Sequence, residues 1–224
     1  MKMETKNEMK LLDLFFKIYN AKKRRQYRNE NARMTDSPVV FFGDSITDKC
    51  DLNKFFPGVN ALNRGISGNT VSDLINRIEV SVCNANPSKI ILLIGINDMM
   101  NVKRSARETA KRYDKLLRMM REKCPAVPIL CQSVYPGYDA EKNKKNKGLV
   151  FPLRHLASEI VELNLYIQDF CRKYGCTYID VHSHLKEEDN TMVPSYSDDG
   201  CHPNEAGYQV MSKVITCLLY TSPS

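Results

Sequence analysis

The run Lys89-Ile90-Ile91-Leu92-Leu93-Ile94-Gly95-Ile96-Asn97-Asp98 decides the fold. Five consecutive apolar side chains, three of them β-branched, follow Lys89 and stop at Gly95. That is too short for a buried helix and fits a strand covered on both faces. Polar residues begin immediately past its end. The same grammar recurs on either side. Pro38-Val39-Val40-Phe41-Phe42 ends at Gly43, residues 59–63 form a weaker run, and Pro128–Val134 and Thr177–Val181 supply two more. Helical periodicity fills the intervals at 70–83, 104–123, 155–174 and 204–216. In 104–123, Ala106, Ala110, Tyr113, Leu116, Leu117 and Met120 share one face. Short apolar strands alternating with helices predict an α/β fold with a parallel sheet covered on both faces. Right-handed crossovers put every strand C-terminus on one edge, where ligands of such sheets bind. The residues just past the strands are Gly43-Asp44-Ser45, Arg64-Gly65-Ile66-Ser67-Gly68-Asn69, Gly95-Ile96-Asn97-Asp98 and Tyr135-Pro136-Gly137. The polar, glycine-rich chemistry therefore gathers on one edge.

A chain of 224 residues, 42% hydrophobic, makes one ordinary domain that needs neither disulfide nor metal to hold its core. The net charge of +7 is concentrated in Lys22-Lys23-Arg24-Arg25 and around Lys142–Lys147. These are read as a solvated face and a loop, with no nucleic-acid partner, since no aromatic residue interleaves with the second run. The eight cysteines form no Cys-x-x-Cys pair. They read as reduced thiols of a cytoplasmic protein. Residues 1–36 form a basic extension. Leu11, Leu12, Leu14, Phe15, Ile18 and Tyr19 mark an amphipathic helix over 8–32, suited to packing on the domain or pairing in a homodimer. Neither a secretory leader nor stable membrane insertion is expected from it. The main domain is expected over 37–216. Residues 217–224 read as a non-native tail, resembling the in-frame translation of a sequencing-library adaptor.

Ser45 follows a strand and a glycine, so its hydroxyl and N–H face the crevice, although Asp44 or Ser45 could equally serve only as a helix cap. Gly68 can offer a backbone N–H, and Asn97 a side-chain amide, to an oxyanion. A tight turn and an Asx-turn would explain the same two residues. In Asp199-Gly200-Cys201-His202-Pro203, the carboxylate can fold back onto the imidazole Nδ1 and leave Nε2 for a serine hydroxyl. A surface histidine is the alternative. His155, His182 and His184 have no comparable setting.

Together these blocks resemble the SGNH hydrolases, the GDSL esterase and lipase superfamily. The likeness covers about residues 38–216. The blocks read Gly43-Asp44-Ser45-Ile46, Gly65-Ile66-Ser67-Gly68-Asn69, Gly95-Ile96-Asn97-Asp98 and Asp199-Gly200-Cys201-His202. Ile46, Ile96 and Cys201 depart from the residues frequent at those positions. The resemblance implies a flavodoxin-like α/β/α sandwich with five parallel strands in the order 2-1-3-4-5, and no cofactor or metal. It implies a Ser45, His202 and Asp199 triad, with the Ser45 N–H, the Gly68 N–H and the Asn97 amide holding the oxyanion. Asp44, Asn69, Tyr135 and Arg154 are further candidates for contacting substrate. Residues 48–58 and 135–155, with Phe55, Phe56, Tyr138 and Phe151, are the segments able to deepen the site. The branch resembled is that of bacterial acetylesterases and platelet-activating-factor acetylhydrolases. A short acyl group, especially acetyl on a carbohydrate, is therefore expected. A lysophospholipase or thioesterase, and a non-catalytic module binding glycans or a partner, are the alternatives.

Overall fold

The computed structural model describes residues 2–142 and 146–219, the side chains of residues 2–13 excepted. Its sheet has five strands: β1 Val39–Gly43, β2 Ala61–Gly65, β3 Lys89–Leu93, β4 Ile129–Gln132 and β5 Thr177–Ile179. All pair in parallel, in the order β2-β1-β3-β4-β5. This is the predicted order. Alternation of side chains across each strand makes two cores. Val40, Phe42, Ile90, Leu92, Ile129 and Cys131 pack on one face. Phe41, Ile91, Leu93, Leu130 and Ile179 pack on the other. Strands that bury both faces must be apolar throughout, which is why they were legible as unbroken runs.

The helices are α1 Lys2–Asn31, α2 Ser45–Asp48, α3 Leu52–Phe55, α4 Val71–Ile75, α5 Ile78–Ser81, α6 Ile96–Met100, α7 Ala106–Lys123, α8 Ala157–Tyr174, α9 His182–Leu185 and α10 Glu205–Leu219. Reciprocal caps start two of them: Thr70 with Asp73 at α4, and Ser105 with Glu108 at α7. α4 and α7 cover one face of the sheet together with α8; α10 covers the other with α2 and α3.

The single helix predicted over 70–83 is instead broken between α4 and α5. Arg77 sits at the break, and its fully buried guanidinium explains it. Arg77 donates to the carbonyls of Gly43 at 2.7 Å and Arg64 at 2.9 Å, to Asn69 Oδ1 at 2.8 Å and to Ser81 Oγ at 3.0 Å. Satisfying four of its donors inside the core outweighs continuity of one helix.

α1 packs against α5 and braces the C-terminal end of β2, the edge strand, through side chains. Tyr27 donates its hydroxyl to the Gly65 carbonyl at 2.6 Å. The buried Arg64 guanidinium lies 4.4 Å over the Tyr27 ring, pairs with Glu30 and donates to Asn31 Oδ1. The basic run in α1 is therefore only partly a solvated face: Lys23 turns inward to Asp48 at 2.7 Å. Leu14, Phe15 and Ile18 point outward and are exposed. Leu11 and Leu12, part of the Lys142–Lys147 run, and the tail beyond Leu219 lie outside the described side chains. No described helix is long and apolar enough to cross a membrane. All eight cysteines are free, and no group of three or more His, Cys, Asp or Glu among the described residues could hold a metal.

Candidate active site

Ser45 is the first residue of α2, immediately beyond β1. Gly43 permits this placement: a Cβ there would stand 2.2 Å from Thr47 Oγ1 and 2.5 Å from the Leu93 carbonyl. Asp44 caps the helix, its Oδ1 accepting from the Ile46 N–H at 3.0 Å. The two readings of this turn are thus both realised, with Asp44 as the cap and Ser45 facing the crevice. As the first helical residue, Ser45 carries an N–H without an intrahelical acceptor.

His202 Nε2 lies 2.8 Å from Ser45 Oγ, and His202 Nδ1 lies 2.7 Å from Asp199 Oδ2. An ionised carboxylate can only accept, so Nδ1 carries the proton and Nε2 accepts from the serine. Asp199 Oδ1 accepts from the backbone N–H groups of Cys201 at 2.9 Å and His202 at 2.8 Å. Partial burial works to raise the Asp199 carboxyl, but the His202 hydrogen bond and charge and these two N–H groups outweigh it, holding it at about 2. The Phe151 ring stands edge-on to the imidazole, with centroids 5.3 Å apart. Tyr208 of α10 donates to the Ile46 carbonyl at 2.7 Å, tying the histidine side of the site to the serine turn.

The opposite side is built from the loop after β2. Gly68 adopts φ +80°, a conformation that favours glycine, and among the described residues nothing accepts its N–H. Asn97 is the second residue of α6, the helix after β3. Its Nδ2 donates to the Asn69 carbonyl at 3.0 Å and its Oδ1 accepts from Asn101 at 2.8 Å. An amide nitrogen has two hydrogens, so one remains for a ligand. Asp98 anchors the next turn, accepting from the Val71 N–H at 2.8 Å and from Arg104 at 2.6 Å.

The four further contact candidates differ in exposure. Asp44, Asn69 and Tyr135 are all buried and committed inward. Asn69 accepts from Arg77 and donates to Asn20 Oδ1 at 2.9 Å, while Tyr135 donates to Gln132. Burial pushes the Asp44 carboxyl up to about 7, the Ile46 N–H opposes this, and the Asp98 charge adds to it. Arg154 is exposed and pairs with Asp189 at 3.2 Å, in a cavity of about 420 Å³ lined also by Tyr138, Glu187 and Met192. Of the two segments able to deepen the site, Phe151 reaches His202, whereas Phe56 is buried against Phe41. The residue the sequence did not disclose is Phe16. Its ring lies against Gly68, where an added Cβ would meet it at 3.1 Å. Asp48 was missed as well. It accepts from Tyr19 at 2.6 Å, Lys23 at 2.7 Å, and the Ser67 hydroxyl at 2.8 Å and N–H at 3.1 Å. Its position three residues after Ser45 was the available sign.

A doubly covered parallel sheet carrying these motifs at its strand ends defines a carboxylic ester hydrolase. The sequence profile of the GDSL-like lipase/acylhydrolase family matches residues 41–210, and the chain belongs to that family. It is 26% identical over 210 residues to an acetylxylan esterase of Geobacillus stearothermophilus, covering 78% of this chain and 90% of that one. Solved structures share the fold. A Streptococcus pneumonia protein described under platelet activating factor superposes with a TM-score of 0.82 at 24% identity, covering 95% of this chain and 98% of its own. A GDSL-like lipase from Bacteroides thetaiotaomicron superposes with a TM-score of 0.73 at 22% identity, covering 88% and 96%.

Proposed function

We propose that the protein removes short acyl groups, in particular acetyl, from a carbohydrate ester through an acyl-enzyme on Ser45. The observation that carries the reading is the hydrogen-bonded sequence Ser45–His202–Asp199. Ser45 Oγ attacks the ester carbonyl carbon while its proton passes to His202 Nε2. The oxygen gains negative charge and is held by the N–H groups of Ser45 and Gly68 and the free Asn97 hydrogen. The intermediate collapses, the alkoxy oxygen takes the proton from His202, and the alcohol leaves. Water then attacks the acyl-enzyme, giving its proton to His202, and the carboxylic acid is released with Ser45 restored. Asp199 keeps the imidazole in the productive tautomer throughout. The preference for acetyl on a sugar is supported by the acetylxylan esterase relative and by aromatic rings on two sides, Phe151 at His202 and Phe16 at Gly68.

A panel of acetylated xylo-oligosaccharides and nitrophenyl esters, read by released acid, tests this. Acetyl esters are expected to turn over fastest, and Ser45→Ala to remove turnover by roughly four orders of magnitude or more. Faster turnover of octanoyl or palmitoyl esters would instead support the lysophospholipase or thioesterase reading. A folded wild type inert to every ester would support the binding module.

A further inference from the structure

Helix α1 does more than brace α5 and the end of β2. It touches the loop that carries Gly68 at three points. Asn20 bridges helix and loop: its Oδ1 accepts from Asn69 Nδ2 at 2.9 Å, and its Nδ2 donates to the Phe16 carbonyl at 2.9 Å. One residue thereby fixes both the backbone of Phe16 and the side chain of Asn69. Tyr19 and Lys23 of α1 share Asp48 with Ser67, the neighbour of Gly68. Partial burial works to raise the Asp48 carboxyl, but Lys23, Tyr19 and Ser67 outweigh it and hold it below its usual range. Phe16 is left with its ring against Gly68 itself, within van der Waals range of where a side chain would begin. Phe15, the next residue, is exposed. The helix thus turns one of two adjacent phenylalanines into the site and the other away.

From this latch we infer that Phe16 of α1 is a specificity-determining wall, limiting the length of the acyl group that can lie beside Gly68. The inference rests on the proposed acyl-enzyme. In that chemistry the leaving oxygen must face His202, which protonates it, so the alcohol lies on the Phe151 side. The carbonyl oxygen lies among the Ser45, Gly68 and Asn97 donors. The acyl chain then extends away from His202, past Gly68, where the Phe16 ring stands. A pocket wall built by a flat ring tolerates an acetyl group and clashes with longer chains.

The test is the ratio of kcat/KM for nitrophenyl octanoate over nitrophenyl acetate in Phe16→Ala and Phe16→Leu. Ile18→Ala, on the outward face of α1, serves as the comparison. Phe16→Ala is expected to raise the ratio about tenfold or more, since a few methylenes gain space, with Phe16→Leu between it and wild type. Ile18→Ala is expected to leave it unchanged. Circular dichroism and the melting temperature establish that each variant is folded. Phe16→Leu keeps an apolar side chain on the loop should the alanine variant unfold. A ratio within twofold of wild type in a folded Phe16 variant overturns the wall. Ser45→Ala separates this from the underlying reading. Turnover retained in Ser45→Ala overturns the acyl-enzyme, whereas an unchanged ratio beside an inert Ser45→Ala overturns Phe16 alone.

Discussion

The two sides of the site are built by different means. On the histidine side, Asp199, Cys201 and His202 sit within four residues, and one short turn holds the carboxylate against the imidazole Nδ1. On the Gly68 side, most of the bracing comes from other elements. Asn69 is held by Arg77 and Asn20, Ser67 by Asp48, and Asn97 reaches Asn69 across 28 residues of chain. The first arrangement is a compact turn that needs only to be docked. The second exists only after several elements have packed. Chemistry that needs one oriented proton acceptor can be encoded in a turn, whereas a cradle of converging donors needs scaffolding from a distance.

The largest expected break in this contrast is Asp199→Asn. The substituted amide cannot accept from Nδ1–H and from the two backbone donors as the carboxylate does. Turnover is expected to fall roughly 10⁴-fold at neutral pH with little change in fold. Steady-state kinetics beside circular dichroism check it, and a loss below tenfold would remove Asp199 from the mechanism. Asn97→Ala strikes the other side and deletes one oxyanion donor. About a 10²- to 10³-fold loss, in kcat more than in KM, is expected. An equal loss confined to KM would mean that Asn97 binds the ground state only.

The smallest effect is in pH dependence. Asp44 ordinarily ionises near 3.8 and is pushed by burial to about 7 in the fold. Between those values the folded chain keeps a proton that the unfolded chain has released, so the stability from this group declines as pH rises from about 4 to 7. Asp199, held at about 2, works oppositely, and its contribution is lost as pH falls from about 4 towards 2. Asp44→Asn is expected to flatten the upper decline by on the order of 1 kcal/mol per pH unit, read by urea denaturation at pH 5 and 7.5. Parallel stability curves for variant and wild type across that range would show that Asp44 does not titrate there.

The contrast also explains what was legible in the chain. β1, β3 and β4 were readable because a strand buried on both faces has no freedom to be polar. The order of the blocks placed Ser45, Gly68, Asn97 and His202 at one sheet edge because parallel topology leaves no other edge for them. The break at Arg77 was not readable. Ile75, Ile78 and Val82 keep helical spacing, and only the distant carbonyls of Gly43 and Arg64 make a buried guanidinium affordable there. The burial of Asp44, Asn69 and Tyr135 was not readable either, because polarity beside a site suggests exposure. Phe16 was hidden for the opposite reason. It belongs to an amphipathic helix whose periodicity says which residues share a face, but not what that face meets.

The contact between Ser45 and His202 spans 157 positions in the chain. It joins the first strand-to-helix turn of the sheet to the turn before the last helix, and Tyr208 locks that helix down on Ile46. A nascent chain that ends before Ser197 contains all the residues of β1 to β5 and still lacks the imidazole. Ester hydrolysis therefore becomes an internal clock for assembly: recovery of turnover after dilution from denaturant should trail recovery of the sheet. A fragment ending before Ser197 should regain activity only when the missing C-terminal piece is supplied in trans.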